Sequence, residues 1–169
     1  MENKSNPVLN VIRKANDIAV VVLFAAMAIT VIIQVFFRFV VQSPLRWTEE
    51  AARYMMIWLV LLASAIASRN RGHLQVDILT AGLPKVPKFI FEIIVDLLTI
   101  SFLCIVTWFG LQVVLATTAQ TSPAMQLPMA FIYAAFPIGG ALMIIEQINV
   151  LIMRIRDRDK PEPPREFVD

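Results

Sequence analysis

Five carboxylates and one histidine carry most of the chemistry this sequence could do, because each lies within or beside a long apolar run. Glu49 and Glu50 precede Arg53, with Glu49 and Arg53 spaced i, i+4. Glu92 and Asp96 are one helical turn apart, and Glu146 stands three residues before Asn149. His73 closes the polar run Arg69–His73. A proton relay or ion site needs a carboxylate near the middle of a bilayer, where a bare charge costs at least about 2.5–3.5 kcal/mol. None of these reaches that depth. Other chemistries lack parts. One histidine cannot supply bis-histidine haem ligation. Cys104, the single cysteine, lies in an apolar run, which excludes a disulfide within one chain and a Cys/His zinc cluster. No glycine-rich loop opens a helix as a phosphate cradle, and no serine or cysteine sits in a nucleophile setting. The expectation is a protein with no active site, no metal and no cofactor of its own.

The elements that must position these residues follow from composition. The chain has 169 residues, is 58% hydrophobic and only 17% charged, and its mean hydropathy is +0.70. A soluble domain of this size has too small a core to hide that much apolar surface. The predicted fold is all-α and integral to a membrane, with four transmembrane helices at about 15–41, 48–68, 88–116 and 129–153. Ile18–Phe37 carries no charge and no small-residue cleavage site follows it, so it reads as a retained helix rather than a signal peptide. Gln42-Ser43-Pro44 breaks it. Thr48 is the expected N-cap of the second span, with Glu49 and Glu50 meeting the positive end of its dipole. The mixed segment 74–83 is too short to cross and is expected to form a short helix lying at the interface, bounded by Gly82, Pro84 and Pro87. Thr117–Pro128 is a connector without charges, and Pro137 is expected to kink the last helix. Residues 1–153 therefore form one domain. The charged, proline-rich tail 154–169 is expected to be disordered and cytoplasmic.

Four spans place both termini on one side, and charge decides which. Arg38, Arg46 and Arg53 are the three of 15 basic residues that fall opposite the termini. The positive-inside rule thus predicts cytoplasmic termini. Glu92, Asp96 and Glu146 then lie toward the cytoplasmic edge, within reach of Arg13, Lys14, Arg69, Arg71 or Lys88. Structural pairing is the simplest use for them. On a helical wheel Glu49, Arg53, Met56, Val60, Ser64, Ala67 and Arg71 share one face of the second span. That face is either a packing surface with interfacial anchors or part of a contact with another polypeptide; a substrate or proton site is the third possibility. His73 reads as an interfacial residue, with Arg69, Arg71 and Lys88 nearby favouring anionic lipid headgroups.

The segment RWTEEAARYMMIWLVLLASAIASRNRGHLQVD resembles the small membrane subunit of tripartite ATP-independent periplasmic (TRAP) transporters, the DctQ-type family. Trp47, Glu49-Glu50, Arg53, Trp58, Arg71, Gly72-His73 and Asp77 carry the likeness in order and approximate spacing. Ala63–Ala67 depart from it, standing where members often have a glycine. The resemblance implies a multi-pass protein of the bacterial inner membrane with no enzymatic activity and no nucleic-acid partner. It implies two protein partners. One is a large membrane subunit that binds substrate and sodium and moves as an elevator. The other is a periplasmic substrate-binding protein that delivers an organic acid, such as a dicarboxylate or sialic acid. The small subunit would extend the stationary scaffold. On this basis Trp47, Glu49, Glu50 and Arg53 are expected at the subunit interface or in structural pairing. Arg69, Arg71, His73 and Asp77 are expected against lipid or partner on the cytoplasmic side. Arg38 and Arg46 are expected to face the docked binding protein. The rival is a membrane anchor of a redox enzyme complex, holding a quinone between its aromatic and Met-rich spans. A self-assembling exporter is a further rival, which would need a mid-membrane carboxylate.

Overall fold

The computed structural model describes residues 7–71 and 84–156. Among these the chain is helical, with one isolated bridge between Thr121 and Pro128 and no strand. Helix α1 runs Pro7–Phe39, α2 Arg46–Arg71, α3 Lys85–Ala116, α4 Met129–Tyr133 and α5 Ala135–Arg156. Four stretches are long and apolar enough to cross a membrane: Leu9–Phe39, Arg46–Arg69, Val86–Ala116 and Met129–Arg156. At 1.5 Å per residue α1 is about 50 Å long, well beyond the ~30 Å hydrocarbon core.

Local chemistry explains the boundaries. Proline is favoured at the first position of a helix, and α1 begins on Pro7. It therefore starts before the expected residue 15 and carries Arg13, Lys14 and Asp17 as part of its first turns. It ends where Gln42 takes a left-handed φ of 55°, after the Ser43 N–H has bonded to the Phe37 carbonyl at 3.1 Å. Pro44 prevents resumption. Helix α2 starts at Arg46, so Thr48 lies inside it, not at its cap. The buried Thr48 hydroxyl turns back and donates to the Leu45 carbonyl at 2.7 Å. Pro137 has no N–H for the Tyr133 carbonyl, and the last span breaks one residue later, at Ala134. Regular bonding resumes with Ile138 N–H to Ala134 O at 3.2 Å. Helix α5 runs through Arg156, taking 154–156 of the expected tail into the helix. The expected interfacial segment 74–83 and residues 157–169 lie outside the described residues.

Helices α2 and α5 form the centre. Helix α1 packs on α2, α3 packs on α4 and α5, and α2 packs on α5. The buried apolar side chains are few: Leu62, Ala65, Leu103, Ile132, Ala135 and Val150. Lipid is as apolar as leucine, so such a bundle is held by close packing and by polar groups rather than by expulsion of oil from water. Two glycines provide the close approach. A Cβ on Gly139 would sit 2.8 Å from the Leu61 Cβ of α2, and one on Gly140 would collide with the Thr107 hydroxyl of α3. The central crossing of the fold is thus made where α5 has no side chains.

Candidate functional site

Charged groups gather at the two ends of this bundle, and they do different things. At the end carrying both termini, every span is tied to another by an ion pair. Arg13 of α1 grips Glu146 of α5 through Nε at 2.7 Å and Nη2 at 2.5 Å. Arg69 of α2 reaches Asp17 of α1 at 3.2 Å. Arg154 of α5 lies 2.7 Å from Glu92 and 3.0 Å from Asp96, both on α3. The Gln147 amide adds a 2.9 Å bond to the other oxygen of Asp96. Asn16 donates to the Leu62 carbonyl at 3.1 Å. Each carboxylate reserved by the sequence for structural pairing has an arginine, but Arg154 was expected in the tail. Gln147 and Arg154 stand i, i+7, on one face of α5, opposite Glu92 and Asp96 at i, i+4. That matched spacing was the available signal.

At the opposite end Glu49, Glu50 and Arg53 separate. Glu49 and Arg53 pair at 3.1 Å with about two thirds of each side chain exposed. Glu50, rotated by ~100° on the helix, points the other way. Its two oxygens accept the backbone N–H groups of Ala124 at 3.1 Å and Met125 at 3.0 Å, in the connector between α3 and α4. The sequence left Glu50 to a subunit contact or to structural pairing. Its hydrogen bonds are within the chain. Trp47 is half exposed above them.

Between Ala51 and Arg69 the exposed residues of α2 are Arg53, Met56 and Val60, in line with Glu49. Ser64 and Ala67 continue the same face toward the other end, half-buried and small. The opposite side of α2, through Leu62 and Ala65, is covered by α1 and α5. Tyr54 and Trp58 of that side meet the last span, Trp58 with its ring centroid 5.7 Å from that of Phe131. The face singled out by spacing is therefore the side of α2 that the other helices leave exposed. Of the remaining expected residues, Arg38 is exposed over the Phe39 ring at 5.7 Å and Arg46 is exposed. Arg71 ends α2, and His73 and Asp77 lie outside the described residues. Among the described residues no group of three or more His, Cys, Asp or Glu could hold a metal ion.

The bundle is four spans with the carboxylates of its terminal end each facing an arginine and with exposed apolar side chains along α1, α3 and α5 as well as on one face of α2. The family model for the DctQ component of tripartite ATP-independent periplasmic transporters matches residues 27–157. This chain belongs to that family: it is a multi-pass inner-membrane subunit of a TRAP transporter, a transport component and not an enzyme. It is 37% identical over 112 residues to the isethionate TRAP transporter permease protein DctMQ of Oleidesulfovibrio alaskensis, covering 65% of this chain and 18% of that protein. A TRAP transporter small permease protein of Haemophilus influenzae is 31% identical over 147 residues, covering 85% of this chain and 89% of the relative. The C4-dicarboxylate TRAP transporter small permease protein DctQ of Rhodobacter capsulatus is 29% identical over 126 residues, 73% of this chain and 55% of its own length. The chain thus spans less than a fifth of the isethionate permease and most of the H. influenzae small permease.

Proposed function

We propose that this chain is the stationary scaffold subunit of a sodium-coupled, binding-protein-dependent importer of an organic acid, seated against a large membrane subunit through the open face of α2. The observation that carries this is the exposed stripe of α2, Glu49, Arg53, Met56 and Val60, which combines an ion pair with apolar residues and is continued by small Ser64 and Ala67. Small residues let a second helix approach closely, and the Glu49–Arg53 pair supplies a polar stop at one end. The isethionate relative supports the pairing, because there the matching region is under a fifth of a much longer permease chain. Substrate and sodium sites belong on the large subunit in this account. Here Asp17, Glu92, Asp96 and Glu146 each face an arginine, which makes them poor transport groups and good fasteners. The substrate class is an organic anion, of dicarboxylate or sialic acid type or a sulfonate such as isethionate.

Orientation follows charge. Arg13, Lys14, Arg69, Lys88, Arg154 and Arg156 gather at the end of the termini, and Arg38, Arg46 and Arg53 at the other. The termini are cytoplasmic on the positive-inside rule. Arg38, Arg46 and Trp47 then hold headgroup depth on the periplasmic side and resist vertical movement while the partner slides. With Arg69 tied to Asp17, the lipid or partner contact on the cytoplasmic side is assigned mainly to Arg71, His73 and Asp77.

Affinity capture of the tagged chain from native membranes tests the assembly. The expected result is stoichiometric recovery of one large membrane subunit, with recovery reduced severalfold by the double change Glu49→Ala, Arg53→Ala. The exposed pair contributes little to the fold of this chain alone, so its melting temperature stays put. Recovery of a redox enzyme in place of a permease would sink the proposal, and undiminished recovery by the double variant would remove the ion pair from it.

A further inference from the structure

Three spans meet at the end of the bundle that carries the termini, and their junction is not completely filled. A cavity of about 10 Å³ lies there, bounded by residues of α1, α2 and α5. Apolar side chains, the buried Ala65 of α2 among them, make up part of its wall. Four polar side chains also line it: Arg13 and Asn16 of α1, Arg69 of α2 and Glu146 of α5.

These four are not equally satisfied. Arg13 and Glu146 hold each other through two hydrogen bonds, and Arg69 reaches Asp17 through Nη2. Asn16 gives its Nδ2 to the Leu62 carbonyl at 3.1 Å. Its Oδ1 is buried and accepts no hydrogen bond from the described residues. Leaving a buried acceptor unmet is costly, and proteins usually answer one with ordered water when no protein donor is in reach. A cavity needs about 10–15 Å³ to hold a water, together with two to four polar partners. Both conditions meet here for one molecule and nothing larger. A water has two hydrogens to give, one for Asn16 Oδ1 and one for the Glu146 carboxylate, whose oxygens can each accept more than one bond. It accepts in turn from Arg69, whose guanidinium has N–H groups beyond those on Nη2. A sodium ion is small enough and would find the same two oxygens, but two guanidinium groups in the wall repel it.

We propose that this cavity is a binding site for a single structural water, held by Asn16, Glu146 and Arg69. It joins the Arg13–Glu146 and Arg69–Asp17 pairs into one polar network across α1, α2 and α5. Polar contacts matter in a bundle that lipid does not squeeze together, and a network whose members are all satisfied holds its helices more rigidly than separate pairs do. The site also uses both ends of the Asn16 amide, Nδ2 to fasten α2 and Oδ1 to hold the water.

A double-mutant cycle on the full-length chain, read by melting temperature, tests it. Ala65→Val pushes two methyl groups toward the cavity. With a water there, the change displaces it, strands Asn16 Oδ1 and should lower the melting temperature by about 4 °C. In the Asn16→Leu background no acceptor remains to strand, so the same valine should cost little or stabilise. That coupling is the expected result. A valine that stabilises the wild-type chain shows a dry cavity and overturns the proposal. A valine that costs the same in both backgrounds reports overpacking alone and also overturns it. The coupling should be equal in sodium and potassium buffers; a coupling confined to sodium assigns the cavity to the cation and overturns the water. A cryo-EM map of the membrane complex that shows ordered waters elsewhere should place one within hydrogen-bond distance of Asn16 Oδ1, and an empty site in such a map would contradict the proposal directly.

Discussion

Replacing Arg154 with methionine should unfold the bundle at temperatures where the wild-type chain is stable. The Arg154 side chain is 8% exposed, and its partners Glu92 and Asp96 are 13% and 4% exposed. Removing one member of a buried ion pair leaves the other charged in a poor solvent, at a cost of about 3–5 kcal/mol. Here two carboxylates are stranded by one change, on a helix that is held to the rest of the protein through α4 and α5. For a chain of this length each 1 kcal/mol moves the midpoint by about 2–4 °C, so a fall of about 10 °C is expected. Fluorescence-detected size exclusion of heated, detergent-solubilised protein reads it. The same methionine combined with Glu92→Gln and Asp96→Asn should recover most of the loss, since no uncompensated charge remains. Melting of the single variant at the wild-type temperature would show that the cluster does not hold α3.

The second large effect is expected at Gly139. An added Cβ would stand 2.8 Å from the Leu61 Cβ and 3.3 Å from the Leu61 backbone, whereas carbon atoms rest at about 3.5–4.0 Å. Gly139→Ala must push α2 and α5 apart, which overpacking data place at about 1–3 kcal/mol. Gly139→Val should exceed that and lower the yield of monodisperse protein. The instructive variant moves the glycine across the crossing. Leu61→Gly with Gly139→Ala should be more stable than the sum of the two single losses predicts, a coupling that thermal shifts of the four proteins measure. Additive losses would mean that the two positions do not share one contact.

The four spans were legible because hydropathy over twenty residues is a strong signal and lipid demands it everywhere. Pro137 announced the break in the last span. The beginning of α1 was less legible, since Arg13, Lys14 and Asp17 look like a polar lead-in when read singly. In the folded chain Arg13 and Asp17 find partners on α5 and α2, and a paired charge can enter the helix where an isolated one would stay out. The same reasoning explains Arg154. It belongs by composition to the charged tail, and only the long-range match to Glu92 and Asp96 brings it inside. Glu50 was hidden differently. Beside Glu49 it reads as half of an acidic pair, yet neighbouring residues on a helix point ~100° apart, and its partners are backbone N–H groups seventy-odd positions away that carry no side-chain signature. What spacing did reveal was the face of α2, because an uninterrupted helix turns a sequence period directly into a stripe in space.

That stripe is the central claim, and site-specific photo-crosslinking in native membranes addresses it most directly. A benzophenone amino acid placed at Met56 or Val60, exposed on the open face of α2, is compared with one at Leu98, exposed on α3. The account predicts ultraviolet-dependent adducts with a large membrane subunit from Met56 and Val60, and only lipid adducts from Leu98. Adducts with the large subunit from Leu98, and none from Met56 or Val60, would contradict it.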